Sequence, residues 1–254
     1  MNFIPISLSV TTCYLCKAGT GYILIDTGYE EDWELFQSRL KQENVSIAQI
    51  THIILTHHHD DHCGLLHHIL AENSSIRVVM SEQCEKLIRV GRNDTTHGGG
   101  PLNRRIALLL RIKRYYVGIH LHKKVEKANN LRFPPYLMRE GDCIIHDGVR
   151  LRDVGINLDG TILETPGHTV DSISILFDDG DCAVGDAAAN FLRFAGTKYC
   201  VIFVCNLDQY YRSWEKLLSQ GAKAIFPAHG KSFPAEKLKK NLRKNKSSHV
   251  VTNF

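Results

Sequence analysis

The stretch Thr56-His57-His58-His59-Asp60-Asp61-His62 puts four imidazoles and two carboxylates into seven residues, directly after the apolar run His52–Leu55. A loop leaving a buried strand can present side chains into one pocket. His57 and His59, two apart, can aim at one metal, while Asp61 and His62 can turn toward a second. A histidine run can also be a solvated surface tract, but such a tract has no reason to follow an internal apolar strand. Three further ligand-type residues stand beside small residues at strand ends, in Thr165-Pro166-Gly167-His168, Val184-Gly185-Asp186-Ala187 and Pro227-Ala228-His229-Gly230. Any one of these alone is weak, since a lone histidine is more often structural than a ligand. Four such sites in one chain make a metal pocket the better reading. Imidazole and carboxylate are borderline-to-hard donors suited to zinc, iron or manganese, so donor type leaves the metal open.

The elements that must position these residues are legible as alternating patterns. Tyr14–Leu15, Tyr22–Ile25, His52–Leu55 and Ile76–Met80 are apolar runs bounded by turn residues and read as strands. Between them, Trp33–Leu40 and Gly64–Leu70 carry helical period. Further on, Val149–Leu151, Ile156–Leu163, Ser172–Phe177 and Cys182–Val184 read as short strands with few helices between them, a hairpin-rich sheet. A helix at Gln209–Leu218, a strand at Ala224–Phe226 and a helix near Ala235–Lys244 close the order. Two sheets flanked by helices fit this succession. Cys13 and Cys16 form a C-x-x-C inside a predicted strand, where positions three apart point to opposite faces, so they are expected to be core thiols. Cys63 is expected to pack rather than react. His58 and Asp60 alternate with the candidate ligands and are expected behind the site or toward solvent.

The H-x-H-x-D-H of residues 57–62, with His168, Asp186 and His229 downstream and Leu24-Ile25-Asp26-Thr27-Gly28 upstream, resembles the signature of the metallo-β-lactamase superfamily over nearly the whole chain. The resemblance implies that family's α/β fold, a four-layer αββα sandwich. It implies two divalent metal ions, the first on His57, His59 and His168, the second on Asp61, His62 and His229, with Asp186 bridging and Asp26 supporting a ligand from behind. Zinc is the first expectation, with iron and manganese as alternatives. Two cations about 3.5–4 Å apart can lower the pKa of a shared water from about 15.7 toward ~7 and clamp a developing oxyanion. Hydrolysis by that hydroxide needs no Ser or Cys nucleophile, and Asp61 and Asp186 are the expected catalytic carboxylates.

Composition bounds the rest. With 254 residues, 43% hydrophobic and 23% charged, one soluble-type domain is expected over 1–254. No apolar run approaches the ~20 residues of a membrane span, and the N-terminus lacks a signal-peptide pattern, so a cytoplasmic location is expected. The net charge of +4 is uneven: His97–Arg139 holds ten Lys or Arg against the single acid Glu126. Bounded by Gly98-Gly99-Gly100-Pro101 and Pro134-Pro135, this segment reads as a basic, mainly helical insertion at about 97–139. In it Leu102, Ile106, Leu109, Leu110, Tyr116 and Val117 share a face, with Lys113 among them and Arg104, Arg111 and Arg114 largely opposite. A lid that attracts an anionic or acyl-bearing small molecule follows as the expectation, ahead of nucleic acid or a membrane surface, with a homodimer contact as the plainer use.

Superfamily membership would not select the reaction. The expectation is a metallo-hydrolase acting on an ester, thioester or lactone of a small metabolite. A phosphodiesterase or nuclease, an iron persulfide dioxygenase and a non-catalytic metal-binding module are the alternatives. About 25 residues follow His229, too few for the helical substrate domain of a glyoxalase II. Quorum-signal lactonases carry a Tyr shortly after the bridging Asp, where this chain reads Asp186-Ala187-Ala188-Ala189-Asn190.

Overall fold

Strand residues of one pleat point to opposite faces, and here both faces are apolar. In Gly21–Ile25 and Ile50–Ile54, Leu24 and Ile53 pack with the helix residues Phe36, Leu40, Leu66 and Ile69. Their neighbours Ile23, Ile25 and Ile54 pack instead with Ile162, Ile173 and Ile175 of a second sheet. That second sheet repeats the logic: Leu163, Leu176, Cys182 and Val184 face away and bury Tyr210, Trp214 and Leu217. Three apolar layers of this kind require four layers of structure, helix, sheet, sheet and helix, as expected from the resemblance.

A computed structural model describes residues 1–120, 131–242 and 250–251. The first sheet contains β1 (Phe3–Ser7), β2 (Thr12–Ala18), β3 (Gly21–Ile25), β4 (Ile50–Ile54), β5 (Arg77–Ser81) and β7 (Cys143–Ile145), in that order. It is antiparallel through β3 and parallel from β3 to β7. The second runs β14 (Phe233–Pro234), β13 (Ala224–Pro227), β11 (Asp181–Gly185), β10 (Ile173–Phe177), β9 (Gly160–Glu164) and β8 (Val149–Arg150). A separate ribbon joins β6 (Gly100–Pro101) to β12 (Phe203–Val204). Helices α1 (Trp33–Gln42), α3 (Leu66–Glu72) and α4 (Glu82–Ile88) cover the first sheet, and α6 (Leu207–Ser219) and α7 (Glu236–Leu242) the second. The one-turn α2 (Asp60–Cys63) and the long α5 (Arg104–His120) complete the set among the described residues. None of these helices is long and apolar enough to cross a membrane.

Three expectations change in detail. The strand anticipated from Ile156 starts only at Gly160, because Leu151–Val154 turns as a 3-10 helix that Gly155 ends at φ 80°. Helix α4 was not anticipated; Ser81 caps it, its Oγ accepting from Cys84 N at 3.1 Å. The insertion is helical over Arg104–His120, but Phe133 and Tyr136 return to the first core, so its far end belongs to the body. Leu102 and Ile106 are buried as the periodicity predicts, Leu109 and Leu110 of the same face are half-buried, and Leu108 and Ile112, outside it, are exposed. Residues 121–130 lie outside the described residues, as do the side chains of Lys113, Arg114, Tyr116 and Val117.

Cys13 joins the outer core and Cys16 the inner one, so the C-x-x-C is split across the sheet and burial pushes both thiols up. Gly167, before His168, has φ 138°, and a Cβ there would meet Tyr210 N and Cα at 2.4 Å. Gly167→Ala is expected to cost about 3 kcal/mol in denaturant unfolding, because both atoms it meets are backbone. A cost below about 1 kcal/mol would show that this turn shifts freely.

Candidate metal centre

The pocket forms where strands of both sheets end. Thr56 follows β4, and its carbonyl accepts from Ile173 N of β10 at 2.8 Å, which locks the two sheets together at this edge. Thr12 N to Ala228 O at 2.8 Å and Tyr14 Oη to Pro227 O at 2.8 Å repeat the stitch beside His229. His57 and His59 lie in the turn after Thr56, Asp61 and His62 on α2, His168 after β9, Asp186 after β11 and His229 after β13. All seven sequence-predicted residues converge. Donor atoms of His57, His59 and His168 lie within 4.8 Å of one another, as do those of His57, His62 and Asp186, and those of Asp61, His62 and His229.

Ring orientation follows from what each other nitrogen does. His62 Nδ1 donates to Asp26 Oδ2 at 2.8 Å, His168 Nδ1 to the Phe203 carbonyl at 2.9 Å and His229 Nδ1 to the Val10 carbonyl at 3.2 Å. Thr56 Oγ1 donates to Asp26 Oδ2 at 2.8 Å and can accept from His57 Nδ1 at 3.1 Å. Each of these rings then turns Nε2 toward the pocket. His168 Nε2 stands 3.0 Å from His59 Nδ1 and 3.3 Å from Asp186 Oδ2. The other oxygen, Asp186 Oδ1, is 3.6 Å from His62 Nε2 and 3.4 Å from His229 Nε2, so one carboxylate faces both groups of histidines. Asp61 Oδ2 lies 3.3 Å from His229 Nε2 and accepts from Thr11 Oγ1 at 3.1 Å.

The electrostatics divide the pocket. Burial lowers His57 and His59 well below the usual imidazole value, and the crowding of rings on one another lowers them further. His168 is lowered by burial too. For His62 burial works against the charged form, but Asp26, Asp61 and Asp186 outweigh it and push the ring up to about 9. The same contest raises His229, through Asp186 and Asp61. Burial would raise Asp61 and Asp186, yet the facing His62 and His229 hold both below the ordinary carboxylate range. The acids therefore draw positive charge into the pocket.

Whether a metal ion fits can be judged from the polar atoms that lack partners. His57 Nε2, His62 Nε2 and Asp186 Oδ1 are buried without a hydrogen bond. A buried polar atom without a partner is costly, and three of them aimed at one space are the donors a cation would satisfy. The residues fit the group.

Sequence reasoning missed the supports that come from afar. Asp171 is buried and accepts from His58 N and His58 Nδ1, both at 2.9 Å, while His58 Nε2 accepts from Asp94 N at 2.9 Å. His58 thus anchors the turn from behind, as does Asp60, whose carboxylate accepts from Asn93 Nδ2 at 2.8 Å. Cys63 is buried and donates to His58 O. A carboxylate three residues after His168, directly before an apolar strand, was the only local signal for Asp171.

The profile of the metallo-beta-lactamase superfamily matches residues 7–229. A beta-lactamase-like protein 2 homolog of Drosophila melanogaster is 27% identical over 233 residues, covering 88% of this chain and 60% of that protein. A probable metallo-hydrolase of Bacillus subtilis is 26% identical over 243 residues, covering 89% of this chain and 69% of the relative. The chain thus spans about 60% of the length of the Drosophila relative. A metallo-beta-lactamase family protein from Thermus thermophilus shares the fold with a TM-score of 0.65 at 19% identity, over 96% of this chain and 79% of that one.

Asp26 accepts from Thr56 N, Thr56 Oγ1 and His62 Nδ1, so its loss frees a histidine and a turn together. Asp26→Asn is expected to weaken metal binding about 10–100-fold, the usual effect of removing such a partner. Competition with a chromophoric chelator reads it; unaltered affinity would reduce Asp26 to a turn former.

Proposed function

The chain belongs to the metallo-beta-lactamase superfamily, whose members are generally metal-dependent hydrolases, and on that premise we propose that it hydrolyses an ester, thioester or lactone at a dinuclear metal centre. His57, His59 and His168 would hold one ion and Asp61, His62 and His229 the other, with Asp186 reaching both. The observation that carries this reading is the Asp186 carboxylate, whose two oxygens face histidines of different groups at 3.3 and 3.4 Å. Zinc suits the donors, with iron or manganese as the alternatives. When bound, such a pair supplies an acidified water and Lewis acidity toward a carbonyl oxygen.

The chain's own residues do the remaining work. Asp61 and Asp186 stay ionised, so they can orient a water entering between them by accepting hydrogen bonds from it. Thr11 Oγ1 fixes the Asp61 carboxylate for that task. Asp26, Phe203 O and Val10 O hold His62, His168 and His229 in single orientations, so little reorganisation is needed during reaction. No thiol is called on: burial raises both Cys63, next to His62, and Cys205, bonded through its backbone to His168, away from the reactive thiolate.

Elemental analysis coupled to turnover tests the proposal. Purified protein should saturate at about two ions per chain and hydrolyse at least one of a thioester, an ester and a lactone. Asp186→Ala should weaken both ions together and lower kcat/KM by about a hundredfold or more. Saturation at one ion, or oxygen uptake without hydrolysis, would defeat the dinuclear hydrolase.

A further inference from the structure

A cavity of about 350 Å³ opens between the start of α5 and the loop that follows Asp186. Leu102, Asn103, Arg104 and Arg105 form one wall; Lys198 and Tyr211 contribute to the other. Three cations line it and no carboxylate does, among the described residues. The two arginines occupy the first turn of α5, which contains no acid. A helix N-terminus is already the positive end of the dipole, so basic side chains there oppose helix formation. A sequence that breaks a local rule without gain in packing points to function.

The cavity is also built rather than incidental. Asn103 Oδ1 caps α5 by accepting from Arg105 N at 2.9 Å and Ile106 N at 3.0 Å. Its Nδ2 donates to the carbonyls of Ala195 and Gly196 at 3.3 and 3.4 Å, so one side chain ties the two walls together. On the far wall Lys198 and Tyr199 hold φ values of 50° and 72°, conformations that non-glycine residues keep only where the surroundings impose them. Tyr199 supplies that constraint: its ring packs on Phe233 at 4.4 Å and beneath Arg193 at 4.8 Å, and its carbonyl accepts from Ala189 N at 2.8 Å.

The backbone links both walls to segments that hold metal-pocket residues. Leu102 N donates to Ile202 O, and Pro101 pairs with Phe203, whose carbonyl holds His168. The Lys198 wall runs from Asp186, whose own carbonyl accepts from Tyr210 Oη. We propose that this cavity receives a phosphate or pyrophosphate group carried by the substrate whose acyl carbon reacts at the metal pocket. Three cations outnumber what a single carboxylate needs, and two guanidinium forks match phosphate oxygens. The volume lies within the range of small-ligand sites, about 300–1,000 Å³. That the anion belongs to a substrate rests on the hydrolase reading; that the cavity binds phosphate does not.

Titration calorimetry of the metal-loaded protein with inorganic phosphate separates the two statements. Saturable binding is expected, weakened about tenfold or more in Arg104→Gln/Arg105→Gln and by an intermediate factor in Arg105→Lys, which keeps the charge but loses the fork. Circular dichroism confirms that each variant is folded. Equal affinity in wild type and double variant, or no saturable binding, overturns the cavity assignment. A second arm compares one acyl thioester on a phosphorylated carrier with the same acyl group on a short neutral thiol. The wild type should show a KM about tenfold lower for the phosphorylated one, and the double variant should lose that preference. Equal KM values in the wild type overturn the substrate role. If neither thioester is turned over, the hydrolase reading fails for this class while the phosphate isotherm still decides the cavity.

Discussion

Asp26 accepts three hydrogen bonds in the interior, from Thr56 N, Thr56 Oγ1 and His62 Nδ1, while its own backbone sits at φ 61°. A buried carboxylate is tolerated only when so satisfied, and satisfying it dictates much else. Thr56 must leave β4 in one direction, which places His57 and His59 in the following turn. The same residue offers its carbonyl to Ile173 N, so the register between the two sheets is tied to the same junction. α2 must pack with His62 pointing inward, which turns Asp61 to the same space. Gly185 is drawn into this arrangement as well: a Cβ there would meet Thr56 Oγ1 at 2.3 Å, so the strand that delivers Asp186 can approach only as glycine.

Seen from this junction, the sandwich is a device for bringing strand ends together. Four loops that follow strands of two different sheets, β4, β9, β11 and β13, supply the seven candidate ligands. Two of them are tied across the sheets, since Thr56 after β4 is bonded to β10 and β2 is bonded to the β13 turn. The helices that cover the two sheets contribute burial rather than chemistry. Trp214 and Tyr210 of α6 fill the outer core, but each also bonds a carbonyl of the Asp186 segment, at Ala187 and Asp186. Packing and positioning are the same contacts there.

Much of this was legible in the residue pattern, for a physical reason. Metal ligands must be particular residue types, and strand ends announce themselves by apolar runs and small residues, so His57, His168, Asp186 and His229 could be singled out without knowing what pairs with what. The C-x-x-C was likewise readable, because pleat alternation puts Cys13 and Cys16 in different cores. Asp171 was not, since its role is decided by His58, 113 positions away, and nothing local marks an aspartate as a histidine's partner. Asn93 behind Asp60 and Thr11 behind Asp61 escaped for the same reason. The insertion shows the opposite failure: charge and Gly/Pro punctuation marked a segment, but the burial of Phe133 and Tyr136 places its end in the first core.

The central claim is that seven side chains close on two cations with Asp186 between them. Anomalous diffraction from crystals of the protein loaded with zinc tests it most directly. The account predicts two peaks about 3.5–4 Å apart, one beside His57, His59 and His168, the other beside Asp61, His62 and His229, with an Asp186 oxygen toward each. A single peak, or two peaks that Asp186 does not join, would contradict it.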